Sequence, residues 1–101
     1  MLVFNTTFSI NTEYLERWEE WMKKTYLPTF KELLPDVVSE LYEVMAVVNE
    51  NSTNYSCQWR CSEPEELEVI HKYSNILLNN LSGEYGENCL HFSTILKQKQ
   101  L

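Results

Sequence analysis

The chain has 101 residues, 44% of them hydrophobic and 23% charged, with a formal net charge of −7. That length predicts one domain over residues 1–101, with a thin core, because a chain of this size buries roughly two thirds of its unfolded surface. The charge argues against nucleic acid and against an anionic membrane: Arg17 and Arg60 are the only arginines and no basic cluster exists, whereas phosphate binding needs a lysine or arginine patch.

In chain order, residues 3–10 alternate. Phe4, Phe8 and Ile10 share one face with Thr6, and Val3, Asn5, Thr7 and Ser9 share the other, which predicts a strand with one strongly apolar side. A long amphipathic helix follows. Tyr14, Leu15, Trp18, Trp21, Met22 and Tyr26 recur at spacings of three and four, an apolar stripe. Glu19 with Lys23 and Glu20 with Lys24 are i, i+4 neighbours on the opposite side. Asn11 or Thr12 is placed to cap the start. Pro28 lacks an N–H and disfavours helical angles at Leu27, so the helix is expected to break or kink there, with one more short turn over 29–34.

Residues 37–48 are rich in valine and predict a second strand, apolar on both faces and therefore covered on both. Asn49 to Ser52 is a turn cluster that predicts a hairpin. The third strand, 53–61, alternates cleanly, with Tyr55, Cys57, Trp59 and Cys61 on one face and Asn54, Ser56, Gln58 and Arg60 on the other. Ser62 is placed to cap a second helix, with Glu65 completing a capping box and Pro64 in the first turn. Leu67, Ile70, Tyr73, Ser74, Leu77, Leu78 and Leu81 form its buried stripe, and Gly83 is the expected stop. Residues 89–96 form a last strand with Leu90, Phe92, Thr94 and Leu96 on one face.

The order strand, helix, strand, strand, helix, strand is the ferredoxin-like α+β pattern, a four-stranded antiparallel sheet with two helices on one face. Two helices cannot cover both faces of that sheet. An apolar second face needs a partner, and a second copy of the chain, a homodimer, is the simplest.

No apolar run approaches the roughly 20 residues that cross a bilayer, and the N-terminus has no basic-then-apolar signal pattern. Cys57, Cys61 and Cys89 are odd in number, which without a secretory signal predicts free thiols and a cytoplasmic location. The Asn-x-Ser/Thr triplets at Asn5, Asn51, Asn54 and Asn80 are then chance. In a strand, Cys57 and Cys61 stand about 13 Å apart, too far for a disulfide or a shared metal. His71 and His91 are the two histidines; neither has an acidic partner at ligand spacing, so no metal site is expected, and no cofactor.

Trp18-x-x-Trp21-Met22, Leu27-Pro28, Tyr55-x-x-Gln58-Trp59, Tyr85-Gly86 and Phe92-x-Thr94-x-Leu96 together resemble a bacterial family of uncharacterised proteins, domain of unknown function 4286. The resemblance runs over nearly the whole chain. It implies the dimeric α/β barrel arrangement, in which ferredoxin-like protomers pair sheet to sheet. Family members typically carry a histidine just before the Leu/Ile-Pro pair, where this chain has Tyr26.

The function expected is binding of a small apolar or aromatic molecule, or an interaction role. The alternative implied by the wider superfamily is a cofactor-free monooxygenase acting on a small aromatic substrate. No catalytic residue is identified. The candidate ligand-binding residues are Trp18, Trp21, Tyr26, Gln58, Trp59 and His91: the aromatics as walls against the sheet, Gln58 and His91 as polar contacts. Each also has a plain structural reading, as core packing for the rings and as a surface or interface contact for Gln58 and His91.

Overall fold

The computed structural model describes residues 1–45 and 50–101. Strand β1 (Leu2–Asn11) leads through a 3₁₀ turn (Thr12–Tyr14) into α1 (Leu15–Trp21), a π-helical segment (Met22–Tyr26) and α2 (Leu27–Leu33). Then come β2 (Val38–Glu43), β3 (Ser52–Cys61), α3 (Pro64–Tyr85), a 3₁₀ turn (Gly86–Asn88) and β4 (Cys89–Lys97). The strands form one antiparallel sheet in the order β2-β3-β1-β4. This is the ferredoxin-like α+β fold, with both helices on one face.

Register divides the side chains between the faces. Phe4 lies opposite Trp59 and Ile95, Thr6 opposite Cys57 and Ser93, and Phe8 opposite Tyr55 and His91; with Ser39, Leu41 and Glu43 of β2, these share the helix-side face. The other face carries Asn5, Gln58, Tyr42 and the row Leu90, Phe92, Leu96. Phe92 is 60% exposed and Leu90 58%, so the apolar row of β4 stands open.

Pro28 does not end the first helix, which continues to Leu33. The π-segment is the reason. A wider turn lets Leu27 N–H donate to Met22 O, five residues back, and it makes room for a proline ring that has no hydrogen bond to lose. It also keeps the core row straight. Trp18, Met22, Tyr26 and Phe30 are all buried at spacings of four, which in a regular α-helix drift by about 40° a step; the wider turn swings the row back. Of the two ion pairs expected on this helix, Lys24–Glu20 forms at 2.8 Å, while no Lys23–Glu19 bridge forms.

Other boundaries also move. Strand β2 stops at Glu43, although Val44 N–H still donates to Asn54 O at 2.8 Å. Residues 46–49 of the expected strand and hairpin lie outside the described residues. The cap of α3 is Glu63, not Ser62, and its box partner is Glu66, not Glu65: Glu66 Oε1 accepts from the N–H groups of both Ser62 and Glu63. Glu66 sits three residues after Glu63, the spacing a capping box needs. The helix runs through Gly83 and stops at Gly86, whose φ of +57° is the left-handed geometry that favours glycine.

Candidate functional site

The first helix rests on β3 through a ladder of rings. Trp18 stacks on Tyr55 at 4.8 Å between centroids and meets Phe8 edge-on at 5.2 Å. Tyr26 packs against Trp21, Phe30 and Phe8, and Phe30 against Trp59. On the β2 side the packing opens into a cleft of about 230 Å³ lined by Trp18, Glu19, Met22, Lys23, Leu27, Leu41 and Tyr55. Its walls are apolar; Glu19 and Lys23 border it from successive turns of the helix.

Of the residues expected to bind, Trp18 lines this cleft. Tyr26 and Trp59 lie deeper in the same aromatic core, 0% and 3% exposed, and Trp21 is half-buried beside Tyr26. Gln58 projects from the opposite face of the sheet, where it donates to Ser56 Oγ at 3.3 Å. His91 is on the helix side but on β4, across β1 from the cleft, its ring 6.5 Å from that of Phe8 and its Nε2 2.8 Å from Ser82 Oγ. The structure thus gathers the four aromatics and separates Gln58 and His91 from them. His71 is exposed and edge-on to Phe4 at 6.0 Å. The cleft adds Leu27, Leu41 and Tyr55. Tyr55 shares its strand face with Trp59, which the alternation already showed; Leu41 meets the cleft through the β2–β3 register, which alternation alone does not fix.

The ionisable groups in this core are held neutral. Burial pushes the Tyr26 phenol up to about 12, reinforced by nearby Cys57 and opposed by its hydrogen bond with Ser74. Burial pushes the Cys57 and Cys89 thiols up to about 12. The Tyr55 phenol is raised by burial first, then by the carboxylates of Glu43 and Glu19. His91 is lowered by burial, against a hydrogen bond to the Leu78 backbone. All three thiols are free. At neutral pH the core offers neither a thiolate nor a phenolate.

A larger open groove of about 610 Å³ runs between α1 and the end of α3, lined by Glu16, Arg17, Glu19, Glu20, Lys23, Glu84 and Tyr85. Arg17 sits over the rings of Tyr14 and Tyr85 at 5.0 and 5.1 Å. Its mixed, solvated charges define no ligand chemistry. Among the described residues no group of three histidine, cysteine or acidic side chains is placed to hold a metal, and no helix is long and apolar enough to cross a membrane.

The domain of unknown function DUF4286 matches residues 1–99, and the chain belongs to that family. None of the curated proteins matches it in sequence. Among solved structures it is similar to the de novo designed protein Foldit4, with a TM-score of 0.67, 11% identity and coverage of 97% of this chain and 98% of that one. It is similar also to a dimeric ferredoxin-like protein from an uncultured marine organism (TM-score 0.61, 12% identity, 94% and 92% covered). A third is SnoaB, a cofactor-independent oxygenase from Streptomyces nogalater (TM-score 0.60, 11% identity, 99% and 95% covered). At these identities the likeness is one of fold.

Proposed function

We propose that this DUF4286 member is a small-molecule-binding protein of the bacterial cytoplasm that acts as one unit over residues 1–101 and pairs with a second copy through the open face of its sheet. The observation that carries the binding reading is the apolar cleft under the first helix, floored by the Trp18–Tyr55 stack. A concave apolar site with few polar groups is the usual form of a ligand pocket. The occupant is a small apolar or aromatic molecule, since the walls offer rings and aliphatic side chains.

The pairing reading rests on the exposed row Leu90, Phe92 and Leu96, with Val38 and Tyr42 across the same face. These flank a central polar ladder, in which Asn5 accepts from Ser56 Oγ at 2.6 Å and donates to Thr94 and Thr7. Exposed apolar side chains of this kind favour association, and a two-fold axis lets one surface cover itself. A similar structure is a dimeric ferredoxin-like protein. Three free, buried thiols suit a reducing compartment.

The oxygenase activity of SnoaB supplies a second reading, turnover of an aromatic substrate in the same cleft. Against it stands the site chemistry: His91 is at the far edge of the sheet, and the phenol and thiol nearest the core are held in their neutral forms. Native mass spectrometry of the purified protein tests the proposal. A dimer is expected, with added mass that disappears in Leu41→Trp, which fills the cleft. A monomer refutes the pairing, and added mass unaffected by the substitution refutes the site. Oxygen uptake with quinols is expected to stay at background.

A further inference from the structure

Register arranges the open face of the sheet in rows that cross β2, β3, β1 and β4. Val38, Arg60, Val3 and Leu96 form one row. Glu40, Gln58, Asn5 and Thr94 form the next on this face, and Tyr42, Ser56, Thr7 and Phe92 the one after. Within these rows the exposed apolar side chains stand at the ends, on the two edge strands: Val38 and Tyr42 on β2, Phe92 and Leu96 on β4. The middle is the polar ladder of Asn5, Ser56 and Gln58.

A two-fold axis lying between two copies of this face runs either along the strands or across them. An axis across the strands matches all four apolar side chains only over the middle row, where it sets Glu40 over its own copy. Glu40 is already bonded to Arg60 and Tyr42 within its sheet, so a second carboxylate above it has no cation left to meet, and facing like charges oppose association. An axis along the strands lays each row on the same row of the other copy, end to end reversed. Glu40 then meets Thr94, and the apolar ends meet each other. In the middle Gln58 comes over Asn5. One Gln58 N–H is spent on Ser56 Oγ, and Asn5 Oδ1 accepts one bond, from Ser56, which leaves a donor and a lone pair to face one another.

Resting on the pairing reading above, we infer that the two-fold runs along the strands, so that β2 of each copy lies over β4 of the other, with Val38 against Leu96 and Tyr42 against Phe92. Packed sheets cross at about 30°, which displaces facing rows at the sheet edges by about one residue. That is less than the spacing between the two apolar contacts.

Crosslinking of mixed variants tests the axis. Packed sheets stand about 10 Å apart, so a short bismaleimide is used rather than a disulfide, and the parent, whose three thiols are buried, is the control. Tyr42→Cys mixed with Phe92→Cys is expected to give a covalent dimer on a denaturing gel, with each variant alone at the parent's background. Both positions are exposed, so the protomer fold is expected to survive. A covalent dimer from either variant alone, or from Tyr42→Cys mixed with Val38→Cys, overturns the inference, as does the absence of one from the first mixture while light scattering still shows a dimer; the pairing then stands with another axis. If light scattering shows the parent to be a monomer, the pairing reading itself falls, and the inference with it.

Discussion

Cys57 sits on the central part of β3 under the first helix, fully buried, with its thiol raised from an ordinary value of 9.0 to about 12 by loss of solvation. This has a stability consequence that separates a packed thiol from a reactive one. In the unfolded chain the thiol ionises at its ordinary value; in the folded protein it stays neutral. A folded value above the unfolded one means that stability is fully present below pH 9 and is lost as pH rises toward about 12. At about pH 10.5 the unfolded thiolate is favoured by about 2 kcal/mol, while the folded thiol has barely begun to ionise. Tyr26 and Cys89 add losses of the same sign in the same alkaline range. Cys57→Ala removes one contribution. The variant is expected to be less stable at neutral pH by about 1 kcal/mol from lost packing. Between about pH 7.5 and 10.5 it is expected to lose about 2 kcal/mol less than the parent. Urea unfolding followed by tryptophan fluorescence, at fixed protein concentration and with reductant present, measures both. If parent and variant lose stability in parallel over that range, Cys57 is not held neutral by burial, and the case against a thiolate in this core fails.

The two glycines give opposite expectations. Gly86→Ala forces a side chain into φ +57° and is expected to cost roughly 1–2 kcal/mol. Gly83→Ala, inside α3 with nothing within 4 Å of the added carbon, is expected to gain up to about 1 kcal/mol; urea midpoints decide both. Phe92→Asp places a charge in the proposed sheet-to-sheet contact and is expected to weaken association roughly 100-fold or more, read by light scattering across a dilution series. Because Phe92 is 60% exposed, the protomer itself should keep its fold and circular dichroism. Tyr26→Phe removes the 3.2 Å contact with Ser74 Oγ and is expected to cost about 0.5–1.5 kcal/mol, with Ser74→Ala in the same background adding less than it does alone.

Periodicity made most of the architecture legible. The alternation in β1 and β3 put Phe4, Phe8, Cys57 and Trp59 on one face, and that is the buried face. The terminators were less legible, because each depends on a competition that a local pattern does not show. Pro28 carries the usual stop signal, yet a π-turn absorbs it. Gly83 looks like a helix end, yet the geometry that demands glycine arises three residues later. Ser62 is a good cap by type, while Glu63 wins because Glu66 is at the reciprocal spacing. The candidate site was half legible for a related reason. Aromatic residues on a stripe are bound to meet in the core, so Trp18, Tyr26 and Trp59 came together. Gln58 and His91 were grouped with them by chemistry alone. Strand parity puts Gln58 on the other face, and strand order puts His91 at the other edge.

The π-turn connects these two matters. A helix that ended at Tyr26 would leave Leu27 in a departing loop and Phe30 without a place in the core row. Because the wider turn carries the backbone past Pro28, Leu27 stays on the helix and lines the cleft together with Leu41 of the edge strand. Register places Leu41 opposite Cys57, next to Tyr55 on the same side of the sheet. The cleft is therefore built from one helical irregularity and one strand pairing, and neither is a property of the aromatic residues that first drew attention to it. Irregular turns of this kind carry a cost in backbone hydrogen bonding and recur at functional sites. Here the helix that carries the irregularity borders both the cleft and the larger charged groove, and what sets the cleft apart is its apolar lining, Trp18, Met22, Leu27, Leu41 and Tyr55.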